Sequence, residues 1–248
     1  MKQIILAAGY ATRLYPLTEN TPKPLLPVGN KLMIEHVIEG TTAIGAIDHT
    51  YVVTNNKFAG QLTDWLTGYE HSHPDFRGTI INDNTTNNDD RLGAIGDLHL
   101  VLSQEDIHDD ILVIAGDNLI TGDLNEFGQY CGDSQDPVLG VYDVGSPEEA
   151  KKYGVVAIDE AGKITSFEEK PNEPQSTLIG IALYYYPRSV IPQISQYLEE
   201  GNNPDQPGRL IQWLYPHQPV QTALIPGQWL DIGSKETLET ANQLFTNR

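Results

Sequence analysis

Two cations, Arg13 and Lys23, stand ten residues apart in the stretch AAGYATRLYPLTENTPKPLLPVG, Ala7 to Gly29, with Glu19 the only acid between them. An arginine presents a planar fork that matches phosphate oxygens, and a lysine a movable point charge. Backbone N–H groups of Gly9–Arg13, following a strand and near a helix start, can cradle phosphate as well. Pro16, Pro22, Pro24 and Pro27 stiffen the segment, which lowers the entropy lost on closing over a ligand. The spelling is neither G-x-G-x-x-G nor G-x-x-x-x-G-K-[ST], so dinucleotide and P-loop readings fail. A surface loop with two solvated cations is the plain alternative. The position directly after the first strand and the density of the pattern argue for a ligand loop.

Acids and one more cation lie further on. VIAGDN places Asp117 just past an apolar strand, where it is either a ligand-binding acid or a helix N-cap. QWLDIG holds Asp231, a second acid or a turn residue. Two carboxylates from distant segments suit Mg²⁺ held jointly with substrate phosphates. In FEEKP, strand alternation puts Glu168 and Lys170 on one face and Glu169 on the other, unless the strand ends first. His71 and His73 are neighbours without a third ligand at zinc spacing. No G-x-S-x-G elbow occurs, and Cys131 lacks an activating partner.

These groups need a frame. Lys2 to Ala7 reads as a buried parallel strand, Lys31 to Ile44 as a helix, and Thr50–Val53, Thr79–Ile81 and Ile111–Ala115 as further strands. Helical stretches at Phe58–Leu66 and Gly93–Gln104 separate them. That alternation predicts a doubly wound parallel sheet with ligands beyond the carboxyl ends of its strands. After about residue 137 the texture turns strand-rich, and Asp159–Gly162 reads as a hairpin turn. Helices resume at Ser189–Glu200 and Lys235–Phe245. The three tyrosines 184–186 cannot all face inward. The expectation is one domain over 1–248, with a nucleotide-binding part to about residue 136 and a sugar-binding part with a C-terminal helix over 137–248.

Composition narrows the function classes. With 34 acidic against 15 basic side chains the net charge is −19, which argues against nucleic acid and anionic membrane as partners. An anionic substrate would then depend on local cations or metal. No apolar run reaches the roughly 20 residues of a membrane span, and MKQIILAAGY lacks the pattern of a secretory leader. One cysteine excludes an internal disulfide, so a cytoplasmic setting is expected. The oligomeric state is not fixed by sequence; a homo-oligomer through the opening helices and late strands stays open.

Taken together the residues resemble the sugar-phosphate nucleotidyltransferase family, in the branch related to glucose-1-phosphate thymidylyltransferases. LAAGYATRLYPLT followed by TPKPLLPVGNKLMI is similar to the family's signature. VIAGDN, FEEKP and WLDIG follow in the family's order, so the resemblance spans nearly the whole chain. It implies a Rossmann-like mixed, mostly parallel sheet flanked by helices, with a small β-rich substrate-side subdomain. It implies transfer of a nucleotidyl group from an NTP, dTTP or UTP, to a sugar 1-phosphate, releasing pyrophosphate with Mg²⁺ as cofactor. Carried over by motif, Leu6, Ala8, Gly9, Tyr10, Ala11 and Thr12 would wrap the nucleotide. Arg13 would bind the triphosphate and stabilise the leaving pyrophosphate, and Lys23 would contact phosphate near the reacting centre. Asp117, also beside the nucleotide, and Asp231 would hold Mg²⁺. Gly154, Glu169 and Lys170 would face the sugar phosphate. Many relatives carry glycine where Ala11 stands, so a positive φ there would strain this chain. Pyrimidine-specific relatives often carry Gln and Pro in the base-reading segment; NDNTTNNDDRLGAIGD has neither, and Asn84, Thr85 and Gly93 are candidate replacements. Two alternatives stay open: a cytidylyltransferase acting on a sugar or small alcohol phosphate, and a non-catalytic nucleotide-sugar-binding paralogue. A sugar phosphate's second pKa is near 6, so at pH 7 its oxygen is already a nucleophile and needs no general base.

Overall fold

A computed structural model describes residues 1–246; positions 247 and 248 of the expected sugar-binding part lie outside the described residues. The chain opens with β1 (Lys2–Leu6), a short pair β2 (Pro27–Val28) and β3 (Lys31–Leu32), then α1 (Met33–Thr42), β4 (His49–Thr54), α2 (Ala59–Ser72) and β5 (Gly78–Asn82). Next come α3 (Ala94–Gln104), β6 (Ile111–Ala115), β7 (Asn118–Ile120), α4 (Asn125–Asp133), β8 (Val138–Asp143) and α5 (Pro147–Ala150). The last part holds β9 (Gly154–Ile158), β10 (Ile164–Glu169), β11 (Leu178–Tyr186), α6 (Ile191–Glu199), α7 (Gly208–Leu214), β12 (Gln221–Leu224), β13 (Trp229–Asp231) and α8 (Lys235–Thr246).

The main sheet runs β10-β9-β11-β6-β1-β4-β5, with β8 also paired to β11 and β12 to β8. β1 pairs in parallel with β4 and β6, and β4 with β5. β11 enters antiparallel to β6, which makes the sheet mixed. The late strands therefore extend the same sheet. Successive residues of β1 supply opposite faces: Ile5 joins a core with Met33, Val37 and Leu62 of the helices α1 and α2, and Ile4 one with Leu98, Ile194 and Leu210 of α3, α6 and α7. Because helices cover both faces, the central strands read as continuous apolar runs instead of alternating.

As expected, Tyr184–Tyr186 do not all face one way. The three side chains alternate as strand geometry demands, with Tyr184 and Tyr186 stacked at 5.9 Å on one face and Tyr185 on the other. All three are nonetheless buried. The helix read from Lys31 starts two residues later, because Lys31–Leu32 pairs with Pro27–Val28. The Leu32 N–H donates to the Glu35 carboxylate at 3.0 Å, fixing the helix start. Gly29, at φ 60°, lies so close to α8 that a Cβ there would sit 2.8 Å from the Phe245 carbonyl carbon, and its N–H donates to Asn242. The far end of the Arg/Lys loop is thus tied to the last helix. The Asp159–Gly162 turn joins β9 to β10 as expected, with Gly162 at φ 78°.

Candidate active site

The loop after β1 is held from below by backbone groups. Ala7 N–H donates to the Val53 carbonyl at 2.9 Å, and the Asn55 carboxamide donates to the Ala8 carbonyl at 2.8 Å. Ala11 adopts φ 48°, ψ 40°, the left-handed conformation that an L side chain disfavours. Its carbonyl accepts from Leu14 N–H at 3.0 Å and from the fully buried Thr18 hydroxyl at 2.7 Å. Those contacts fix the strained residue and close a single 3₁₀ turn, Thr12–Leu14, in which Leu14 is buried and Arg13 exposed. A second 3₁₀ turn, Lys23–Leu25, begins with Pro24 at its second position. The Ala11→Gly protein should be more stable than wild type by about 1 kcal/mol or less, since relief of the left-handed penalty outweighs the added freedom of the unfolded chain. Equilibrium denaturant unfolding checks this; a less stable variant would show that Ala11 is not strained.

Asp117 lies between β6 and β7, and Asp231 ends β13. The antiparallel β7–β13 ribbon places Asp231 opposite Asn118, and Ile232 N–H donates to the Asp117 carbonyl at 3.1 Å. One short ribbon thus joins two carboxylates that are far apart in sequence. Lys23 Nζ meets Asp117 Oδ2 at 2.5 Å, while Asn118 Nδ2 donates to Asp117 Oδ1 at 3.0 Å and Trp229 Nε1 to Asn118 Oδ1 at 2.6 Å. Burial opposes the Asp117 charge, but the Lys23 ammonium and these hydrogen bonds hold its pKa below the ordinary value. Asp231 has the opposite fate: burial, then the charge of Asp117, push it up to about 6 in spite of Lys23, Arg13 and Lys170. Burial, Asp231, Glu149 and Asp117 likewise raise the neighbouring Tyr153 to about 12.

Two cavities open here. One, of about 590 Å³, runs along Gly9–Leu14 and Lys23 to Asp117, Asp231 and Gly233, with Asn88, Asp89 and Arg91 on its far wall. The other, of about 550 Å³, is lined by Lys152–Gly154, Glu169, Lys170, Gln206–Gly208 and Trp229. They share Arg13, Asp117, Asp231 and Gly233. Two ligands, one in each cavity, would meet at a point flanked by a guanidinium, an ammonium and two carboxylates. A third cavity, of about 520 Å³, lies at the opposite end of β4, beside His49 and Thr50, and shares none of these groups.

The second cavity is shaped by close backbone approach. Glu169 pairs with Gly154 across β9–β10. A Cβ on Gly154 would fall 2.3 Å from the Phe167 ring and 3.0 Å from Glu169 Oε2, and one on Gly208 would fall 2.8 Å from the same oxygen. Glycine on both sides is what admits the carboxylate. Burial raises the Glu169 pKa, opposed by Lys170 and Arg209. The strand ends at Glu169, and Lys170 turns to φ 52° with its N–H on the Tyr153 carbonyl at 2.9 Å. The alternation expected for Glu168–Lys170 therefore stops one residue early, and Glu169 and Lys170 both line the cavity.

The family model described as nucleotidyl transferase matches residues 2–248. The chain belongs to that family. Its relatives include the bifunctional protein GlmU of Methanocaldococcus jannaschii, 28% identical over 250 residues that cover 100% of this chain and 55% of that protein. A glucose-1-phosphate thymidylyltransferase of Streptomyces griseus is 26% identical, covering 98% and 66%. The UTP–glucose-1-phosphate uridylyltransferase AglF of Haloferax volcanii is 26% identical, covering 98% and 96%. The chain thus spans about half the length of the first of these relatives and nearly all of the last. Among solved structures, a Bacillus anthracis protein assigned as a glucose-1-phosphate thymidylyltransferase, in complex with a sucrose, superposes with TM-score 0.82 at 26% identity, covering 100% of this chain and 96% of that one. A UDP-glucose pyrophosphorylase complexed with UDP-glucose gives 0.82 at 23% identity over 100% and 99%, a likeness of fold.

Within this chain the sequence-derived residues fall into two groups. Gly9, Tyr10, Ala11, Thr12, Arg13, Lys23, Asp117 and Asp231 come together along the first cavity, and Gly154, Glu169 and Lys170 along the second. Leu6 lines only a small recess beside Gly116. Ala8, Asn84, Thr85 and Gly93 line neither cavity. Thr85 is buried and turned toward Asp83; Asn84 is bonded back to Asn82; Gly93 packs on the Pro204 carbonyl. Asn88, Asp89 and Arg91, from the same polar run, line the first cavity instead. Lys152, Asn118 and Gln206–Gly208 also went unassigned. Asn118 and Trp229 sit inside the quoted motifs and could have been found there; residues 206–208 carry no motif. Among the described residues no cluster of three or more His, Cys, Asp or Glu could hold a metal, and no helix is long and apolar enough to cross a membrane.

Proposed function

We propose that this chain transfers a nucleotidyl group from dTTP or UTP to a sugar 1-phosphate, releasing pyrophosphate. The observation that carries the reading is the meeting of two cavities at Arg13, Asp117 and Asp231. The NTP would lie along the glycine loop, in the part up to about residue 136. The sugar phosphate would lie between Glu169, Lys170 and Gly154, in the part over 137–248. The names of the thymidylyl- and uridylyltransferase relatives support the choice of substrates.

The chemistry then consists of holding two mutually repelling polyanions in line and offsetting charge on the leaving group. Lys170 would position the sugar phosphate, whose oxygen attacks the α-phosphorus. Lys23, already directed by Asp117, would sit beside that phosphorus, and Arg13 beside the leaving pyrophosphate. Glu169, held in its glycine-lined slot, would accept from sugar hydroxyls. Asp117 and Asp231 fit a hard divalent cation: both are oxygen donors, they converge at one ribbon, and the Asp117 charge raises the cost of ionising Asp231. Mg²⁺ held by them together with substrate oxygens would supply positive charge to the phosphates.

Pyrophosphate release, measured with dTTP, UTP, CTP, ATP and GTP against a panel of sugar 1-phosphates and choline phosphate, tests the reading. Turnover with dTTP or UTP and a hexose 1-phosphate is expected. Turnover with CTP and an alcohol phosphate would replace it with a cytidylyltransferase, and tight nucleotide-sugar binding without turnover would mark a sensor.

A further inference from the structure

Behind the glycine loop lies a group of buried polar side chains for which the proposed reaction has no use. Among the described residues, four buried side-chain atoms lack a hydrogen-bond partner: Thr54 Oγ1, Asn55 Oδ1, Asp83 Oδ2 and Asp97 Oδ1. They gather in one place. Asp83 N–H donates to the Thr54 carbonyl at 2.8 Å, and Asn55 holds the Ala8 carbonyl under the loop. Asp97, in the first turn of α3, is buried beside the Asp83 carboxyl, whose charge acts on it.

The proton positions follow from the donors. Asp83 Oδ1 accepts from Thr85 N–H at 2.7 Å and from the Thr85 hydroxyl at 2.8 Å. That hydroxyl has then spent its hydrogen, so the contact of Tyr10 Oη with Thr85 Oγ1 at 3.3 Å has Tyr10 as donor. The two donors on Oδ1 stabilise a negative charge on Asp83, and no such donor acts on Asp97, so Asp83 is the ionised member. Two facing carboxylate oxygens repel unless one proton lies between them, and a proton on Asp97 satisfies both orphan oxygens at once. We propose that Asp97 stays protonated and donates to Asp83, so that the pair acts as a positioning device for the nucleotide cavity. Asp83 in turn holds Thr85, and Thr85 holds Tyr10 in the cavity wall. This rests on the reading of the glycine-loop cavity as the NTP site.

The surroundings agree. Burial, then Asp83, push Asp97 up to about 8, and burial raises Asp83 as well. Among the described residues no cation acts on Asp97; the charged and titratable groups around the pair are the two acids themselves, Asp90 and Tyr10. Because the folded value lies above the unfolded one, the stabilisation from the shared proton is present at low pH and is lost as pH rises through about 8.

The test is titration calorimetry of dTTP and UTP without sugar phosphate, from pH 6.5 to 9, on the whole chain and on Asp97→Asn, whose carboxamide donates to Asp83 at every pH. Wild-type affinity should fall about tenfold over this range, the worth of one buried hydrogen bond. Asp97→Asn should keep the neutral-pH affinity with no slope. Thr85→Val, which cuts the link to Tyr10, should bind weakly at every pH. Equal slopes in wild type and Asp97→Asn, or wild-type binding by Thr85→Val, would overturn the inference. Melting temperature reads the pair without any nucleotide, and its decline toward pH 9 should be shallower in Asp97→Asn. A wild-type chain that binds neither nucleotide overturns the cavity reading and the positioning role with it, even where the melting profiles differ as expected.

Discussion

The Asp231→Asn protein is expected to melt higher than wild type at pH 7 in the presence of a chelator, and to turn over at less than a hundredth of the wild-type rate. Asp231 is pushed from 3.8 to about 6 by burial and by Asp117. Its folded value lies above its unfolded one, so the stability linked to its proton is present below about pH 4 and is lost as pH rises through 6. At pH 7 the fold carries an ionised carboxylate at a cost of about 3 kcal/mol, which asparagine removes. For a chain of this size that is roughly 6 to 12 °C in Tm. The gain should shrink toward pH 4, where both side chains are neutral. Asp117→Asn should be equally inactive but less stable, by about 1 to 3 kcal/mol, because it strips Lys23 of its partner in a poorly solvated place. Thermal unfolding of both variants from pH 4 to 8, with Mn²⁺ binding followed by electron paramagnetic resonance, checks the pair. A destabilised Asp231→Asn would show that its charge is not held under repulsion. Retained Mn²⁺ affinity in both variants would remove them from the metal site.

The opposite stability effects expected of these acids show which features of the site could be read in the sequence. Asp117 and Asp231 were both visible, each just past or within an apolar run that ends at a glycine-flanked turn. Their convergence was not, because it depends on the antiparallel register of two three-residue strands, and no sequence period reveals a ribbon so short. Lys23 was visible as a cation within a proline-stiffened loop, whereas its ion pair with Asp117 was not. The central strands were readable because apolar runs covered on both faces have no rival reading of that length. The same cover buries the alternating Tyr184–Tyr186 on both faces, which alternation alone did not reveal. Lys170 was found, but its orientation was not: a lysine at φ 52° has no local sequence signal. That Asn88, Asp89 and Arg91 line the first cavity, and not Asn84, Thr85 and Gly93, has a similar reason. Asp90 folds the polar run back on itself by accepting from Thr86 and Asn87, while Arg91 pairs with Asp205 from a distant segment.

Arg13→Ala is expected to lower kcat on the order of a hundredfold or more, with much smaller changes in KM and in stability. The reason lies in how differently the two loop cations are held. Lys23 is paired with Asp117, so its removal disturbs the resting fold and the reaction together. Arg13 is exposed on the 3₁₀ turn and makes no hydrogen bond or ion pair with another described residue. Its charge acts on Asp231 without a direct bond, so truncating it costs little folding energy, typically within about 0.5 kcal/mol. Its fixed position comes from its neighbours, the buried Leu14 and the left-handed Ala11, which remain in the variant. The guanidinium borders both cavities, so in the proposed reaction its charge would lie where negative charge grows as pyrophosphate departs. A chain with net charge −19 supplies little other positive field to replace it. Steady-state kinetics on a variant of unchanged Tm would separate the two effects. A raised KM at full kcat would make Arg13 a ground-state binder of the triphosphate, and unchanged kinetics would take it out of the site.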